Sequence, residues 1–396
     1  MNKVNSIRPR LLFLSAHLPY SGATQAGQLT AARNLIALAK QYDIHLISFR
    51  NKLERLWPLD SIKKHCLLIE IFDIDTKERI FGGISAIHLP LLVAARNHRG
   101  FRLAVRRAVA SSNFMRVHCE WTQMLLYLPE CQMIQNTSLY VHDVLSQSLF
   151  RQIEQLSVIA SFPIHVELAR TKYWESRQLV RVAKIFVPSK KDADLVNLLV
   201  QPATVCPTVL PPAFNLLPPR VIFPSGKLRI TYWGSYARKE NVDAAIFLVD
   251  YVLPSLQTLG FDVEVLLIGA NPPSALDVRR SKNVKITGYV TDPTEHLWSA
   301  HIAVLPIRLG AGVKVKVLEC LGAGIPVVTT SVGAEGIPCG PDQGLFIVPD
   351  FSASNIAAKV AELLINRPYI EKLSKSASKW VREYANVNYE KILNEK

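Results

Sequence analysis

A glycine-rich turn surrounded by cations is the part of this 396-residue sequence best suited to chemistry. Gly310 and Gly312 allow backbone N–H groups to turn toward a ligand, and the helix predicted after them adds the positive end of its dipole. Arg308, Lys314 and Lys316 place full positive charges around the same turn. Because these features come together, the turn is predicted to bind a diphosphate.

A carboxylate follows this turn at a spacing suited to the rest of a nucleotide. Glu319 lies seven residues beyond Gly312, which is roughly 10 Å along a helix axis at about 1.5 Å per residue. A ribose would lie there if its phosphates rest on the turn. Gly312, Lys316 and Glu319 are expected near one side of the helix. Three apolar residues are expected to face a core: Val317, Leu318 and Leu321. The alternative is an ordinary helix carrying a solvated Lys316–Glu319 salt bridge.

The turn and helix resemble the donor-binding motif of the retaining glycosyltransferases of family 4, glycosyl transferases group 1. The form Gly-x-Gly-x-Lys-x-Lys-x-Leu-Glu is that of a subgroup within it. The resemblance implies the GT-B fold, in which two Rossmann-like parallel-sheet domains face each other across a cleft. It also implies that Glu319 binds the ribose hydroxyls, while Ala311 stands where many members have a second glutamate that contacts the donor sugar.

A second segment, residues 233–243, is similar to the glycine turn that opens the second domain of this family. Gly234 matches the glycine of that turn. Many members follow it with an arginine and a lysine on the diphosphate, and the matching places here hold Ser235 and Glu240. Arg238 and Lys239 lie nearby and are expected to substitute for them.

Three further places complete the site that the resemblance implies. Gly288 and Tyr289 are similar to the turn that cups the base. His142 follows the strand predicted at residues 138–141, and it matches the histidine that approaches the donor sugar from the first domain. The alternative for His142 is a histidine satisfied by local hydrogen bonds. In the loop of residues 17–27, Gly22 and Gly27 either allow close approach of a ligand or are simple turn glycines.

Strands and helices alternate along the whole chain, which predicts two parallel sheets of the α/β class. The predicted domains are residues 1–206, on the acceptor side, and residues 227–376, which bind the nucleotide-sugar. A proline-rich linker of residues 207–226 separates them, and a helix of residues 377–396 is expected to return to the first domain. The first domain is expected to contain strands at residues 10–15, 44–48, 67–72, 116–120, 138–142 and 184–188. The second is expected to contain strands at residues 228–233, 264–269, 284–287, 302–305, 327–330 and 344–348. Helices are expected over residues 29–41 and from residue 242.

The net charge of +14 favours anionic partners, but no zinc-finger, RRM or helix-turn-helix pattern supports nucleic acid. Six scattered cysteines and the lack of an apolar run long enough for a bilayer predict a cytoplasmic protein. Arg99, Arg102 and Arg106 share a helical face near Arg96 and Arg107. This face is either solvated or rests on an anionic membrane surface.

No metal or other cofactor is predicted. The pair Asp73 and Asp75 spells an aspartate motif used for manganese in another glycosyltransferase fold, but here it is interpreted as the polar end of a strand. No histidine or cysteine cluster has metal-binding spacing.

We therefore expect a metal-independent, retaining hexosyltransferase that moves a sugar from a nucleotide-diphosphate donor to a glycan or lipid-linked acceptor. Family analogy suggests surface polysaccharide biosynthesis at the inner face of the membrane. Two other functions stay open. A GT-B sugar-nucleotide 2-epimerase would share the diphosphate site, and a non-catalytic binding subunit would agree with the departures at Ala311, Ser235 and Glu240.

Overall fold

The structure is a computed structural model that describes residues 8–23, 25–154, 156–201, 205–387 and 389–394. The chain divides into two compact units. Unit 1 comprises residues 1–213 together with residues 388–396, and unit 2 comprises residues 214–387.

Unit 1 is built on a parallel sheet of seven strands in the order β3-β2-β1-β4-β5-β6-β7. Its strands are β1 (Arg10–Ser15), β2 (Asp43–Arg50), β3 (Cys66–Asp73), β4 (Phe114–Glu120), β5 (Thr137–Tyr140), β6 (Lys184–Val187) and β7 (Thr208–Val209). The central strand β1 is buried from Leu11 to Ser15, as expected for a strand covered by helices on both faces.

The helices of unit 1 are α1 (Ala26–Leu38), α2 (Asp60–Lys63), α3 (Thr76–Ser85), α4 (Leu91–Ala94), α5 (Arg99–Ser111), α6 (Leu145–Ile153), α7 (Val158–Leu179), α8 (Lys190–Val200) and the C-terminal Tyr389–Asn394. Short 3₁₀ segments cover Glu54–Leu56 and Thr122–Cys131.

Unit 2 has a parallel sheet of six strands in the order β10-β9-β8-β11-β12-β13. Its strands are β8 (Leu228–Trp233), β9 (Val263–Ile268), β10 (Val284–Ile286), β11 (Ile302–Leu305), β12 (Val327–Thr330) and β13 (Leu345–Val348). The strand order reverses between β8 and β11, which is where open parallel sheets prefer to bind ligands.

The helices of unit 2 are α9 (Lys239–Phe247), α10 (Leu253–Thr258), α11 (Ser274–Asp277), α12 (Thr294–Trp298), α13 (Val315–Gly322), α14 (Ala353–Ile365) and α15 (Arg367–Ala385). A π-helical segment, Leu248–Val252, joins α9 to α10, and Pro341–Gln343 is a 3₁₀ turn.

The α/β class and the two Rossmann-like parallel sheets predicted from the sequence are confirmed. The predicted strands of unit 1 all occur, with ends that differ by at most two residues. Helix α1 begins at Ala26, three residues before its predicted start.

The boundaries of the units differ from the predicted domains. Most of the predicted linker is irregular, but it contains β7 and divides between the units at Ala213. The predicted C-terminal helix is in fact two helices. Helix α15 belongs to unit 2, and only the last one packs on α1 in unit 1, where Arg116 donates to the Leu393 carbonyl at 2.6 Å. Helix α15 ends at its C-cap Asn386.

In the part of the chain that the structure describes, each helix is either too short or too polar to cross a lipid bilayer.

Candidate functional site

The glycine turn after β8 and the lysine of α13 come together in unit 2. Gly234 has a φ of 156°, and a Cβ at this position would lie 2.9 Å from the Lys316 amine and 3.0 Å from the Asn241 amide nitrogen. The Lys316 amine donates to the Tyr232 hydroxyl at 3.2 Å and also to the Asn241 side-chain oxygen. A side chain on residue 234 would displace the amine, so a glycine here keeps Lys316 in place.

The environment of Lys316 lowers the pKa of its amine. Burial of the amine and, second, the positive charge of Arg238 lower the pKa of Lys316 to about 7. The side chain is only partly buried, so the amine can meet a ligand. A bound anion would favour the charged amine and raise this pKa again.

The carboxylate of Glu319, one turn along α13, is almost completely buried. It accepts a hydrogen bond from the Trp233 indole at 2.7 Å and one from the Asn215 backbone N–H at 3.4 Å. Burial raises the pKa of Glu319, while these hydrogen bonds favour the ionised form. The Asn215 side chain also hydrogen-bonds to this carboxylate. A carboxylate has about four lone-pair directions, so at least one remains for a ligand hydroxyl.

The structure does not support the simple salt bridge between Lys316 and Glu319. Both residues are in the described part of the chain, and each has other partners instead of the i,i+3 pair. They share a side of α13, as predicted, because both face the end of β8. The predicted apolar face is also buried: Val317, Leu318 and Leu321.

The start of this helix corrects one prediction. Helix α13 begins at Val315, with Lys314 as a non-helical N-cap, so Gly312 precedes the helix rather than lying on its side. Gly310 and Gly312 have φ values of 95° and 72°, a region that favours glycine, and such residues twice within three positions prevent a helix. Ala311 lies between them and is partly buried.

Two of the predicted phosphate-binding cations are engaged with protein atoms. The Lys314 amine donates to the Gly312 carbonyl at 2.7 Å and lies 3.9 Å from a Glu335 oxygen. Arg308 forms a two-pronged ion pair with Asp243, with distances of 2.8 and 2.5 Å. A diphosphate would therefore have to compete for them, whereas Lys316 has only neutral partners.

The other predicted donor residues surround β8 and β10. Arg238 is the N-cap of α9 and pairs with Glu240 at 2.6 Å, and the exposed Lys239 begins that helix. Gly288 follows β10 with a φ of 74°, and Tyr289 beside it is 73% exposed. An exposed aromatic ring at this end of the sheet is suited to stacking on a base.

His142 in unit 1 is held by a carboxylate. Its Nε2 lies 2.6 Å from Glu120, whose second oxygen lies 3.0 Å from His118 Nε2 and 2.9 Å from the Asn34 amide nitrogen. Burial alone would raise the pKa of Glu120, but the hydrogen bonds from the two histidines outweigh it and lower that pKa to about 2. Because His142 Nε2–H donates to Glu120, the neutral imidazole presents Nδ1 as an acceptor.

Trp121 orients the His142 ring from the other side. The two rings stack at 3.9 Å with an interplanar angle of 19°, and the His17 ring lies 5.0 Å from Trp121. Trp121 has a φ of 72°, which is strained for a bulky residue and is typical of functional sites. A Cβ on Gly27 would lie 2.9 Å from Trp121 and 3.7 Å from His142 Nδ1.

The structure thus brings Gly27 to His142 and places Gly22 elsewhere in the loop. Gly22 is exposed, and a Cβ there would meet only the Tyr20 ring, at 2.9 Å. Residue 24 of this loop lies outside the described residues.

The aspartate pair after β3 serves other roles. Asp73 pairs with Arg50 at 2.9 Å and with Arg55 at 3.2 Å, and these partners lower its pKa. Asp75 caps α3 by accepting from the Lys77 backbone N–H at 2.9 Å.

A surface pocket of about 650 Å³ lies elsewhere in unit 1, near the start of β2. Its lining includes Arg8, Lys40, Tyr42, Lys64 and His65, and none of the predicted site residues.

Sequence reasoning missed several residues that shape these sites. In unit 2 they are Tyr232, Trp233, Asn241, Asn215 and Gly269, whose Cβ would collide with the Gly234 carbonyl. In unit 1 they are His17, Asn34, Glu54, Arg96, His118, Glu120 and Trp121. Several of these residues lie at the carboxyl ends of β1, β4 and β8, and this position in the sequence could have identified them as site residues.

The comparison with protein families covers the second unit. Residues 227–366 match the family model described as glycosyl transferases group 1. These residues include β8, the glycine turns and α13. No curated protein sequence matches the chain significantly.

Solved structures of the GT-B fold resemble the whole chain. Sucrose-phosphate synthase from Thermosynechococcus elongatus has a TM-score of 0.66 and 16% identity, with 94% of each chain covered. A glycosyltransferase from Rickettsia africae has a TM-score of 0.63 and 13% identity, covering 98% of this chain and 99% of that one.

The Anabaena protein HepE, solved in complex with UDP and glucose, has a TM-score of 0.60 and 13% identity over 95% of each chain. Together with the family match, these structures support the glycosyltransferase superfamily and the GT-B fold.

Proposed function

We propose that the protein is a retaining glycosyltransferase that moves a hexose-type sugar from a nucleotide-diphosphate donor to a glycan or lipid-linked acceptor. One observation carries the proposal. Gly234, Lys316 and Glu319 meet at the switch point of the unit 2 sheet, within the residues that match the family model. A cation, an open backbone and a buried carboxylate are the groups that a nucleoside diphosphate requires.

In the proposed reaction, the bond between the anomeric carbon and the diphosphate oxygen breaks, and the diphosphate leaves with the bonding electrons. The acceptor hydroxyl oxygen forms the new bond on the same face of the sugar, and its proton passes to the departing phosphate. Lys316 meets the negative charge that grows on the leaving group, so its contribution is greatest in the transition state.

Glu319 binds the ribose hydroxyls with the lone pairs that Trp233 and Asn215 leave available. The indole and the backbone N–H fix the carboxylate before the donor arrives, which reduces the ordering cost of binding. Tyr289 stacks on the base in this proposal.

His142 contacts the transferred sugar. In its neutral form, Nδ1 accepts a hydrogen bond from a sugar hydroxyl, because Glu120 holds the other nitrogen and Trp121 fixes the ring plane. We also propose that side-chain cations replace a metal on the diphosphate, and that the product belongs to a surface polysaccharide made at the inner face of the membrane.

A thermal-shift experiment on the full chain tests the donor site. UDP, GDP and ADP are added separately in the presence of EDTA, and at least one should raise the melting temperature, since a ligand at 100 times its Kd adds about 2.7 kcal/mol. Incubation with the matching nucleotide-sugars and no acceptor then follows. Release of a 2-epimer would favour the epimerase, and binding that requires added manganese would contradict the metal-free site.

A further inference from the structure

Arg96 of unit 1 is a nearly buried cation whose side chain hydrogen-bonds to a histidine rather than to a carboxylate. It follows α4, is 7% exposed, and donates from Nη2 to His17 Nε2 at 3.1 Å. Among the residues that the structure describes, no carboxylate forms an ion pair with it. The guanidinium has five N–H donors, and only Nη2 forms a side-chain hydrogen bond among the described residues, to His17, so donors remain for a ligand.

Glu54, the carboxylate whose charge acts on Arg96, already has several hydrogen-bond partners. Glu54 accepts from His17 Nδ1 at 3.2 Å, from Gln28 at 3.0 Å and from the Asn51 side chain at 2.6 Å. Because His17 Nδ1–H donates to Glu54, the Nε2 of the neutral ring carries a lone pair, which accepts the hydrogen bond from Arg96. Burial and then the charge of Arg96 lower the pKa of His17, against the effect of Glu54.

A second arginine adds to the positive charge. Arg79, an exposed residue of α3, repels both His17 and Arg96 electrostatically. Burial together with Arg79 lowers the pKa of Arg96 to about 10. An arginine desolvated in this way, with a second one beside it, is costly unless an anion completes the site.

The cluster is continuous with the residues assigned to the transferred sugar. The His17 ring contacts Trp121, which stacks on His142, so one aromatic ring separates the two histidines. A group bound at Arg96 would therefore lie on the same side of unit 1 as His142.

We infer that Arg96 and Arg79 bind an anionic group, a phosphate or a carboxylate, carried by the sugar acceptor. The inference rests on the proposed function, which it extends by naming the chemical class of the acceptor. The guanidinium of Arg96 offers the fork of donors that phosphate and carboxylate accept. His17 is a positioning residue, since Glu54 fixes its Nδ1 and its Nε2 accepts a hydrogen bond from Arg96.

The test measures binding of glucose 6-phosphate, glucuronate and neutral glucose to the full chain by calorimetry, with saturating UDP present throughout. One or both of the anionic sugars should bind at least about tenfold more tightly than glucose, as expected for charge-assisted hydrogen bonds. The preference between them identifies phosphate or carboxylate as the recognised group.

Three variants locate the site. Arg79→Gln should weaken binding of the anionic sugar by about tenfold and leave the affinities for glucose and UDP unchanged. Arg96→Gln should weaken binding of the anionic sugar more strongly. Lys77→Gln removes one charge from the same exposed helix and should change nothing. Because Arg96 is buried, Arg79→Gln decides the matter if Arg96→Gln does not fold.

Equal binding of anionic and neutral sugars would overturn the inference, as would equal effects of Arg79→Gln and Lys77→Gln. Failure of UDP itself to bind the wild-type protein would overturn the proposed function instead. Loss of UDP binding in Arg79→Gln would assign the arginine to the donor and also contradict the inference.

Discussion

At the scale of single residues, the fold sets the charge of the groups that would meet a donor. Lys316 has an amine whose nearest partners are the neutral Tyr232 hydroxyl and Asn241 amide. Glu319 has a carboxylate fixed by an indole and a backbone N–H. The same helix therefore carries a cation that titrates near neutrality and an anion that is already oriented.

The low pKa of Lys316 predicts how donor use depends on pH. Below a pH of about 7, Lys316 of the free protein carries the ammonium ion that a diphosphate requires, and above that pH its amine is neutral. The kcat/KM for the donor should therefore fall as the pH rises through this value, since this parameter reports the free enzyme. A pH profile from 5.5 to 9 measures the midpoint.

Arg238→Gln should move that midpoint to higher pH, because it removes the positive charge that contributes most after burial. Lys239→Gln is the matched control: it removes a neighbouring exposed cation and should leave the midpoint in place. The position of the midpoint is the readout, so a general loss of donor affinity does not affect the comparison. An unmoved midpoint in Arg238→Gln would contradict the electrostatic explanation.

The free energy of unfolding should rise with pH, whereas the kcat/KM for the donor should fall. Lys316 has a lower pKa when folded than the ordinary value of 10.5, so between about 7 and that value the unfolded chain binds more protons. This residue therefore makes the folded state more stable as the pH rises through that window.

Glu319→Gln should mainly weaken donor binding. Gln keeps the size of the side chain but has a single accepting oxygen, so it retains the hydrogen bond from Trp233 or from Asn215, which donate to different oxygens of Glu319. A small loss of stability is expected, and the charged hydrogen bonds to the ribose are lost. The donor KM should rise by the equivalent of about 1–3 kcal/mol with little change in kcat. Steady-state kinetics and a melting curve check this, and Lys316→Ala should instead lower kcat. Wild-type kinetics in both variants would remove α13 from the active site.

At the scale of elements, two helices differ from their predicted roles. The two left-handed glycines delay the start of α13, so Gly312 lies in the turn before the helix. Helix α5 forms as predicted, but its basic face is partly neutralised. Arg102 and Arg106 share Glu130, at 2.7 and 3.2 Å.

Membrane binding by the basic face of α5 stays a prediction, and vesicle binding can test it. Replacing Arg99, Arg102 and Arg106 with Gln should release the protein from vesicles containing phosphatidylglycerol, because each cation near an anionic surface contributes about 1 kcal/mol. Co-sedimentation at low and high salt measures this, with phosphatidylcholine vesicles as the reference.

The single variants separate the surface role from the structural one. Arg102→Gln should lower the melting temperature, since it removes a partner of the nearly buried Glu130, whereas the exposed Arg99→Gln should not. If the wild-type protein does not bind anionic vesicles, the face is only solvated.

At the scale of the whole molecule, the sequence by itself determined the fold class and most of the sheet elements. Buried parallel strands are short apolar runs bounded by polar or turn residues, so β1, β8, β11 and β12 agree with the prediction at both ends. Helix starts such as Ala26 and Lys239 lie three residues earlier than predicted, because neither N-cap side chain makes a capping hydrogen bond that sequence could reveal.

Only the tertiary structure decided which polar groups meet. Glu319 and Trp233 are 86 residues apart in sequence, and Arg96 and His17 are 79 apart. Motif spacing reports neighbours along one element, so it left a Lys316–Glu319 salt bridge open as the alternative and grouped Arg96 with a basic surface. The parallel sheets instead bring the ends of distant strands together, and the partners that become buried there decide which charges form ion pairs within the protein.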